Sequence, residues 1–295
     1  MVKFKEKVVL MKWCQRSIAP GFIAGTLAAV LSSTSAIAQS DLLTQAEIYK
    51  LVNQVQLLLK NQPPRSAKVA DVVQPLDAVK TATRARADLV FNEGSLVRLG
   101  GNAIFRFVPG SRSFQLRNGT GLFIFPPGDE GGTVVTPEAV VTAQGTTVWV
   151  QHNSDKQTTS IGVLTENLNV PVSVATSGGE GVVVLDAGQR TSVKKGELTA
   201  VKDMSLKRFY KLCKLAADLG TKEEAPSDSL PPQAQNTIVA ARNQAIAALE
   251  NQFRQETDPP DGFEQIVPCT VKEEPKDIST NSQNVFDGFP SVPSR

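Results

Sequence analysis

Chemistry in this chain would have to come from a small stock of residues. The 295-residue sequence contains one histidine and three cysteines. The histidine, His152, stands in TTVWVQHNSD, where a predicted strand runs into a polar turn. A histidine-dependent nucleophile would have to use it. No G-x-S-x-G elbow occurs, however, and neither Cys213 nor Cys269 stands in a nucleophile context. His152 therefore reads as an exposed turn histidine. Acid–base work on a glycan would need two converging carboxylates. Asp88, Glu93, Asp129, Glu130 and Asp186 are the candidates, and each lies in or beside a predicted turn, where acidic residues are favoured for backbone reasons. One histidine, two distant cysteines and no H-E-x-x-H or EF-hand spacing predict no metal site. Gly100-Gly101 and Gly178-Gly179-Glu180-Gly181 match neither G-x-G-x-x-G nor the P-loop, and no helix follows them. They read as turns, no cofactor is expected, and the chain is read as non-enzymatic.

The elements that would position such residues begin after a distinct leader. Lys3, Lys5, Lys7, Lys12 and Arg16 precede an apolar run from Ile18 to Leu31. At 14 residues, interrupted by Pro20, Gly21 and Gly25, the run falls short of the ~20 needed to span hydrocarbon. It closes on Ala36-Ile37-Ala38, an A-x-A pattern, so residues 1–38 are predicted to be a secretory signal peptide cut between Ala38 and Gln39. Membrane contact would then be confined to export, and the protein would work in the periplasm or outside the cell. An uncleaved anchor is the alternative, and would make the chain a membrane-tethered signalling subunit. Without the leader, 26 basic residues face 28 acidic ones. Nucleic-acid binding needs a concentrated positive field, so nucleic acid is not an expected partner. Cys14 leaves with the leader, and Cys213 and Cys269 remain in an oxidising compartment as either a disulfide or two buried thiols.

Residues 39–64 place Ile48, Leu51, Val55 and Leu58 on one stripe, with Thr44 and Glu47 in capping-box spacing and Pro63-Pro64 at the end. This predicts an amphipathic helix, followed by a linker over 65–83. From residue 84 to 200 the texture is short apolar or alternating runs separated by glycine, proline and asparagine. That pattern predicts a mainly β domain of sandwich, barrel or solenoid type. Ala85, Ala87, Leu89 and Phe91 would point inward, as would Val97, Leu99, Ala103, Phe105 and Phe107. Arg84, Arg86, Arg98 and Arg106 would then lie on the wet face, with Trp149 near them if the strands stack, and they are the candidate binding face. Asn118-Gly119 is a hairpin-turn candidate and also opens the sequon Asn118-Gly119-Thr120. Helical spacing returns over 201–220, with Leu206, Phe209, Leu212, Cys213, Ala216 and Leu219 on one side. A linker at 221–232 leads to a second helix at 233–256 with a face around Ile238, Ala241, Ala245, Leu249 and Phe253. The polar, proline-dotted 257–295 is expected to be mostly disordered.

Three stretches of the β region resemble the FecR domain family. Phe91 to Gly94 with Leu96 to Leu99 is similar to an F-x-D-G-S-x-x-x-L strand and turn, with Glu93 in place of aspartate. The Phe114 to Phe125 strand pair follows. TPEAVVTAQGTTVWV, from Thr136 to Val150, then resembles T-P-x-A-x-x-x-x-R-G-T-x-F-x-V, with Gln144 replacing the basic residue. Val184 to Gln189 closes a likeness that runs over residues 85–200. The resemblance implies a β-rich, solenoid-like, non-enzymatic module that recognises a protein or ligand outside the cytoplasm. Full FecR sensors add a cytoplasmic anti-sigma segment and a membrane span. With about 17 residues ahead of the apolar run, sigma-factor regulation is not expected to carry over. The expected partner is an envelope protein or cell-surface polymer. A glycan-active protein using loop carboxylates such as Asp129 and Glu130 is the alternative.

Overall fold

The structure is a computed structural model that describes residues 42–128, 131–165, 167, 169–220, 230–254 and 269. Its strands in chain order are β1 (Ala46–Val52), β2 (Val55–Leu58), β3 (Arg65–Ser66), β4 (Val72–Val73), β5 (Ala78–Thr81) and β6 (Arg86–Phe91). Next come β7 (Leu96–Leu99), β8 (Ile104–Val108), β9 (Ser113–Ile124), β10 (Gly131–Val135), β11 (Ala139–Gln144) and β12 (Thr147–Asn153). The series ends with β13 (Thr158–Val163), β14 (Val172–Thr176), β15 (Val182–Leu185), β16 (Gln189–Lys194), β17 (Glu197–Leu198) and β18 (Lys202–Asp203). Two helices follow, α1 (Leu206–Leu212) and α2 (Pro232–Arg254).

The strands form two sheets. Sheet A runs β4–β1–β6–β7–β9–β12–β13–β16, with β17 and β18 sharing the outer edge of β16. Sheet B runs β3–β2–β5–β8–β9–β10–β11–β14–β15. All these pairings are antiparallel except β9 with β10, which makes the fold a sandwich rather than a parallel solenoid. β9 belongs to both sheets: its first half pairs with β8 in sheet B, and its second half, from Gly119, pairs with β12 in sheet A. The changeover falls at Asn118-Gly119, opposite a register shift between Ile104 and Phe105. Gly119 has φ +85°, and a Cβ there would lie 2.4 Å from the Ala103 Cα. The expected hairpin turn is therefore a strand corner, where only glycine tolerates both the conformation and the close approach. Asn118 is committed locally, donating to the Asn102 carbonyl at 2.9 Å and accepting from the Ser154 amide at 3.1 Å.

The inward phase of the alternation makes the core between the sheets. Ala85, Ala87, Leu89, Phe91, Val97, Leu99, Ala103, Phe105 and Phe107 are all buried in it. Phe91 stands edge-on to Phe107 and Phe114, with ring centroids 5.2 and 5.0 Å away, a preferred arrangement for aromatic quadrupoles. The turns at Asn92-Glu93-Gly94 and Gly100-Gly101 lie where expected, joining β6 to β7 and β7 to β8.

The N-terminal helix expected over 39–64 is instead β1 and β2. The stripe of Ile48, Leu51, Val55 and Leu58 fits helical spacing, but Asn53 adopts φ +58° and breaks the run into two strands. β1 adds to β6 and β2 to β5, so long-range partners override a short periodicity that a strand pair can also satisfy. The capping box does not form: the Thr44 amide donates to the Asn92 Oδ1 at 2.9 Å. The linker expected over 65–83 contains β3, β4 and β5.

A third layer lies on the outer face of sheet A. Val90, Leu96, Leu122, Ile124 and Trp149 point away from the sandwich core and pack with Leu206, Phe209, Leu219, Ile238 and Ala245 from the C-terminal helical segment. α1 is shorter than the helix expected over 201–220. It is capped by Ser205 and ends at Cys213, after which Leu215, Ala216 and Leu219 stay buried through successive turns. α2 opens on Pro232, where a missing amide costs nothing, and small residues Ala234, Ala241 and Ala245 bring it close to the layer beneath. Phe253, expected on its inner face, is 83% exposed. Among the described residues no helix is long and apolar enough to cross a membrane. The expected signal peptide over residues 1–38 with its Ala38–Gln39 cleavage site, and the expected tail over 257–295 apart from Cys269, lie outside the described residues.

Candidate functional site

One row of side chains crosses the outer face of sheet A. The register aligns Lys50, Asp88, Arg98, Leu122, Trp149, Gly162, Arg190 and Lys202 on neighbouring strands. The helical layer covers the middle of this row. Trp149 meets Phe209 edge-on at 5.9 Å, and the Met204 thioether sits 3.1 Å from where a Gly162 Cβ would be.

Arg98 and Arg86, both expected in water, are buried there. Arg98 is 4% exposed; its guanidinium donates to the Asp218 Oδ1 and Oδ2 at 2.5 and 2.7 Å and to the Leu215 carbonyl at 2.7 Å. Arg86 makes a similar fork to Asp88 at 2.6 and 2.7 Å and donates to the Lys214 carbonyl at 2.9 Å. Arg242 from α2 donates to the Asp218 carbonyl at 3.0 Å. Period two places these arginines opposite the core, as expected. What covers them is a segment more than a hundred residues away in sequence.

Burial pulls the Arg98 guanidinium toward neutrality, but the Tyr49 oxygen and the Asp218 and Asp88 carboxylates outweigh it, and the net shift is upward. Burial likewise pushes Asp218 up, and Arg98 more than reverses this, leaving its carboxyl below the usual range. Tyr49 beside them is pushed up to about 12, chiefly by burial. The cluster is thus a charged clamp of guanidinium, carboxylate and neutral phenol. Its hydrogen bonds reach backbone carbonyls of the helical layer, so its work is to hold that layer in place.

The other two arginines diverge. Arg84 is exposed in a left-handed turn at φ +62°, and its carbonyl accepts from the Asn53 Nδ2 at 2.8 Å. Arg106 is half-buried on the outer face of sheet B and donates to the Gln115 Oε1 at 2.8 Å. The four therefore form no single binding face, and Trp149 is buried rather than presented beside them.

The candidate chemical residues are similarly committed. His152 is 3% exposed rather than in an open turn, because it lies on the inward phase of β12. Its Nδ1 is 2.9 Å from the Thr159 Oγ1, which in turn is 2.8 Å from the Thr136 Oγ1. Burial lowers its pKa to about 4, so the ring is neutral at ordinary pH. Asp88 is held by Arg86, and Glu93 lies 3.8 Å from Arg112 while accepting from the Ser95 amide at 2.5 Å. Asp186 is exposed at the end of β15, and Asp129 and Glu130 lie outside the described residues. Among the described residues no three His, Cys, Asp or Glu side chains gather as metal ligands. Cys213 and Cys269 are joined as a disulfide within the helical layer, with Cα atoms 4.7 Å apart.

β15 is exposed in a way that its residues alone do not disclose. Val182 and Val184 are 64% and 53% exposed, while Leu185 is buried. GVVVL reads as a strand, but a continuous apolar run does not disclose that one of its sides is an edge.

Residues 77–168 match the model of the FecR protein family. The chain carries a FecR domain. The matched stretch runs from the approach to β5 to just past β13, so β1 to β4 and β14 to β18 complete the two sheets from outside it. Among solved structures, two crystal structures of a "putative anti-sigma factor" from Parabacteroides distasonis are similar. One is 18% identical, covers 46% of this chain and 65% of its own, and has a TM-score of 0.40. The other is 17% identical, covers 43% and 59%, and has a TM-score of 0.38. This chain thus spans less than two thirds of either. No curated protein sequence gives a significant match.

Proposed function

We propose that this chain is an exported, non-enzymatic recognition module with a regulatory or signalling role, built on its FecR domain. The observation that carries this reading is where the ionisable side chains are spent. Arg86, Asp88, Arg98 and Asp218 clamp the helical layer, and His152 is held neutral in a threonine network. A rigid sandwich with its charged groups turned to architecture suits binding through backbone and surface side chains. The leader, with its basic start, short apolar run and A-x-A end, supports work in the periplasm or outside the cell. The partner class it fits is an envelope protein.

The test is to recover the protein from the producing cell's envelope and soluble exported fractions and sequence its N-terminus. A mature start at Gln39, inactivity on cell-wall polymer, and a photo-crosslinked partner obtained from exposed sandwich positions are expected. Retention of Met1 would turn the reading into a tethered subunit. Turnover of wall polymer would replace it with an enzyme.

A further inference from the structure

The edges of the two sheets are not alike. Sheet B ends at β3 on one side and β15 on the other, and sheet A ends in β4, β17 and β18. All of these are two residues long except β15, which has four. β3 is further blunted by Arg65, ion-paired to Asp71 at 2.7 Å. Short edges and charged edge residues are the usual defences against unwanted strand pairing. β15 has neither, since its residues are Val182, Val183, Val184 and Leu185.

The hydrogen-bond phase determines what this edge offers. The Thr176 amide donates to the Gly181 carbonyl at 3.1 Å, making that a bonded pair across the β14–β15 hairpin. Bonded and non-bonded pairs alternate in an antiparallel ladder. Val183 and Leu185 therefore turn their backbone groups to Val174 and Val172, while Val182 and Val184 turn theirs away from β14. The two outward-bonding residues are the two with exposed side chains. Among the described residues β15 has a register with β14 alone, and β16 pairs instead with β13, β17 and β18. Exposed Glu180 and Asp186 flank it at either end.

We infer that the open edge of β15 is a docking site for an extended segment of a partner protein, apolar in the middle and basic at its ends, which joins sheet B as an added antiparallel strand. The backbone groups of Val182 and Val184 give the affinity, their side chains favour β-branched partners, and Glu180 and Asp186 select lysine or arginine at the flanks. A second copy pairing β15 to β15 would bring two acidic flanks together. It would also bury only four residues a side, far below the roughly 20–30 of a stable dimer. The inference rests on the recognition reading above and deepens it.

The full exported chain is titrated against a fluorescein-labelled synthetic peptide, Lys-Val-Thr-Val-Thr-Val-Lys, by fluorescence anisotropy. Saturable binding is expected, weakened by about tenfold or more when the peptide is N-methylated throughout. Val184→Pro removes an outward amide without touching a β14 hydrogen bond, and should weaken binding by a similar factor. The melting profile of this variant shows whether it is folded; if it is not, the N-methylated peptide decides. Glutamate flanks in place of lysine should weaken binding several-fold. Absence of saturable binding, or equal binding of the N-methylated peptide, overturns the proposal. So does self-association of the free chain that Val184→Pro abolishes, which would assign the edge to a second copy. A Gln39 start and a crosslinked partner alongside a failed titration would sink the edge assignment alone, leaving the recognition reading in place.

Discussion

The outer faces of the two sheets arise from the same alternation and end in different surroundings. Arg98 on β7 and Arg106 on β8 each interrupt an apolar run at the position opposite the core. Arg98 is covered by the helical layer and forked onto Asp218, while Arg106 stays half-buried on sheet B beside Gln115. What separates them is the company on their face. Around Arg98 the outward residues Val90, Leu96, Leu122, Ile124 and Trp149 are themselves apolar and demand a cover. Around Arg106 the aligned outward neighbour is Gln115, and the next outward residue of its strand, Ile104, faces Lys80 and packs only with the small cluster of Leu58 and Ala78. A charged residue on a strand is thus placed by the other residues of its row as much as by its own polarity.

The largest test of this contrast is Arg98→Ala, which strips Asp218 of its forked partner and leaves it only Arg242 at 3.8 Å. A loss of about 3–5 kcal/mol in denaturant unfolding is expected. The paired change Arg98→Met with Asp218→Leu should recover most of it, because two apolar side chains replace both charges. Breaking the Cys213–Cys269 disulfide acts on the same layer and should cost about 3 kcal/mol, read as a lower melting temperature under reductant that Cys269→Ser reproduces.

His152 tests the inner side of sheet A by acid. Its folded pKa of about 4 lies below the ~6.5 of the unfolded chain, so the unfolded state takes up the proton first. The stabilisation is whole above pH 6.5 and is lost progressively as pH falls toward 4, by roughly 2–3 kcal/mol. His152→Gln should flatten that slope. The smallest effect belongs to Arg106→Ala, expected to cost under about 1 kcal/mol because its half-buried guanidinium stays partly in water. A cost equal to that of Arg98→Ala would mean that both faces are covered alike.

The inward phase of β6 to β9 was legible because each residue reports its own side of a pleat. Phe105 and Phe107 mark the core without knowledge of what lies opposite. The cover on sheet A left a trace that alternation alone misses: LVF, GLFIF and VWV are continuous apolar runs, and a run apolar on both phases belongs to a strand buried on both faces. β1 and β2 were misread as a helix because four apolar residues at helical spacing fit two short strands equally well. The Asn118-Gly119 corner was misread as a hairpin because the same dipeptide serves any place that needs a positive φ at glycine.

By itself the sequence determined the mainly β character, the FecR resemblance, the core-facing residues and the presence of a helical C-terminal segment. These follow from side-chain type and local spacing, which act within a few residues. The tertiary structure alone decided that Arg86 and Arg98 are buried, that Cys213 and Cys269 are bridged, that His152 is neutral, and that among the described residues β15 pairs on one side alone. Each depends on which distant segment comes to lie alongside. A strand becomes an edge, and an exposed face becomes an interior one, only when its neighbours have been placed.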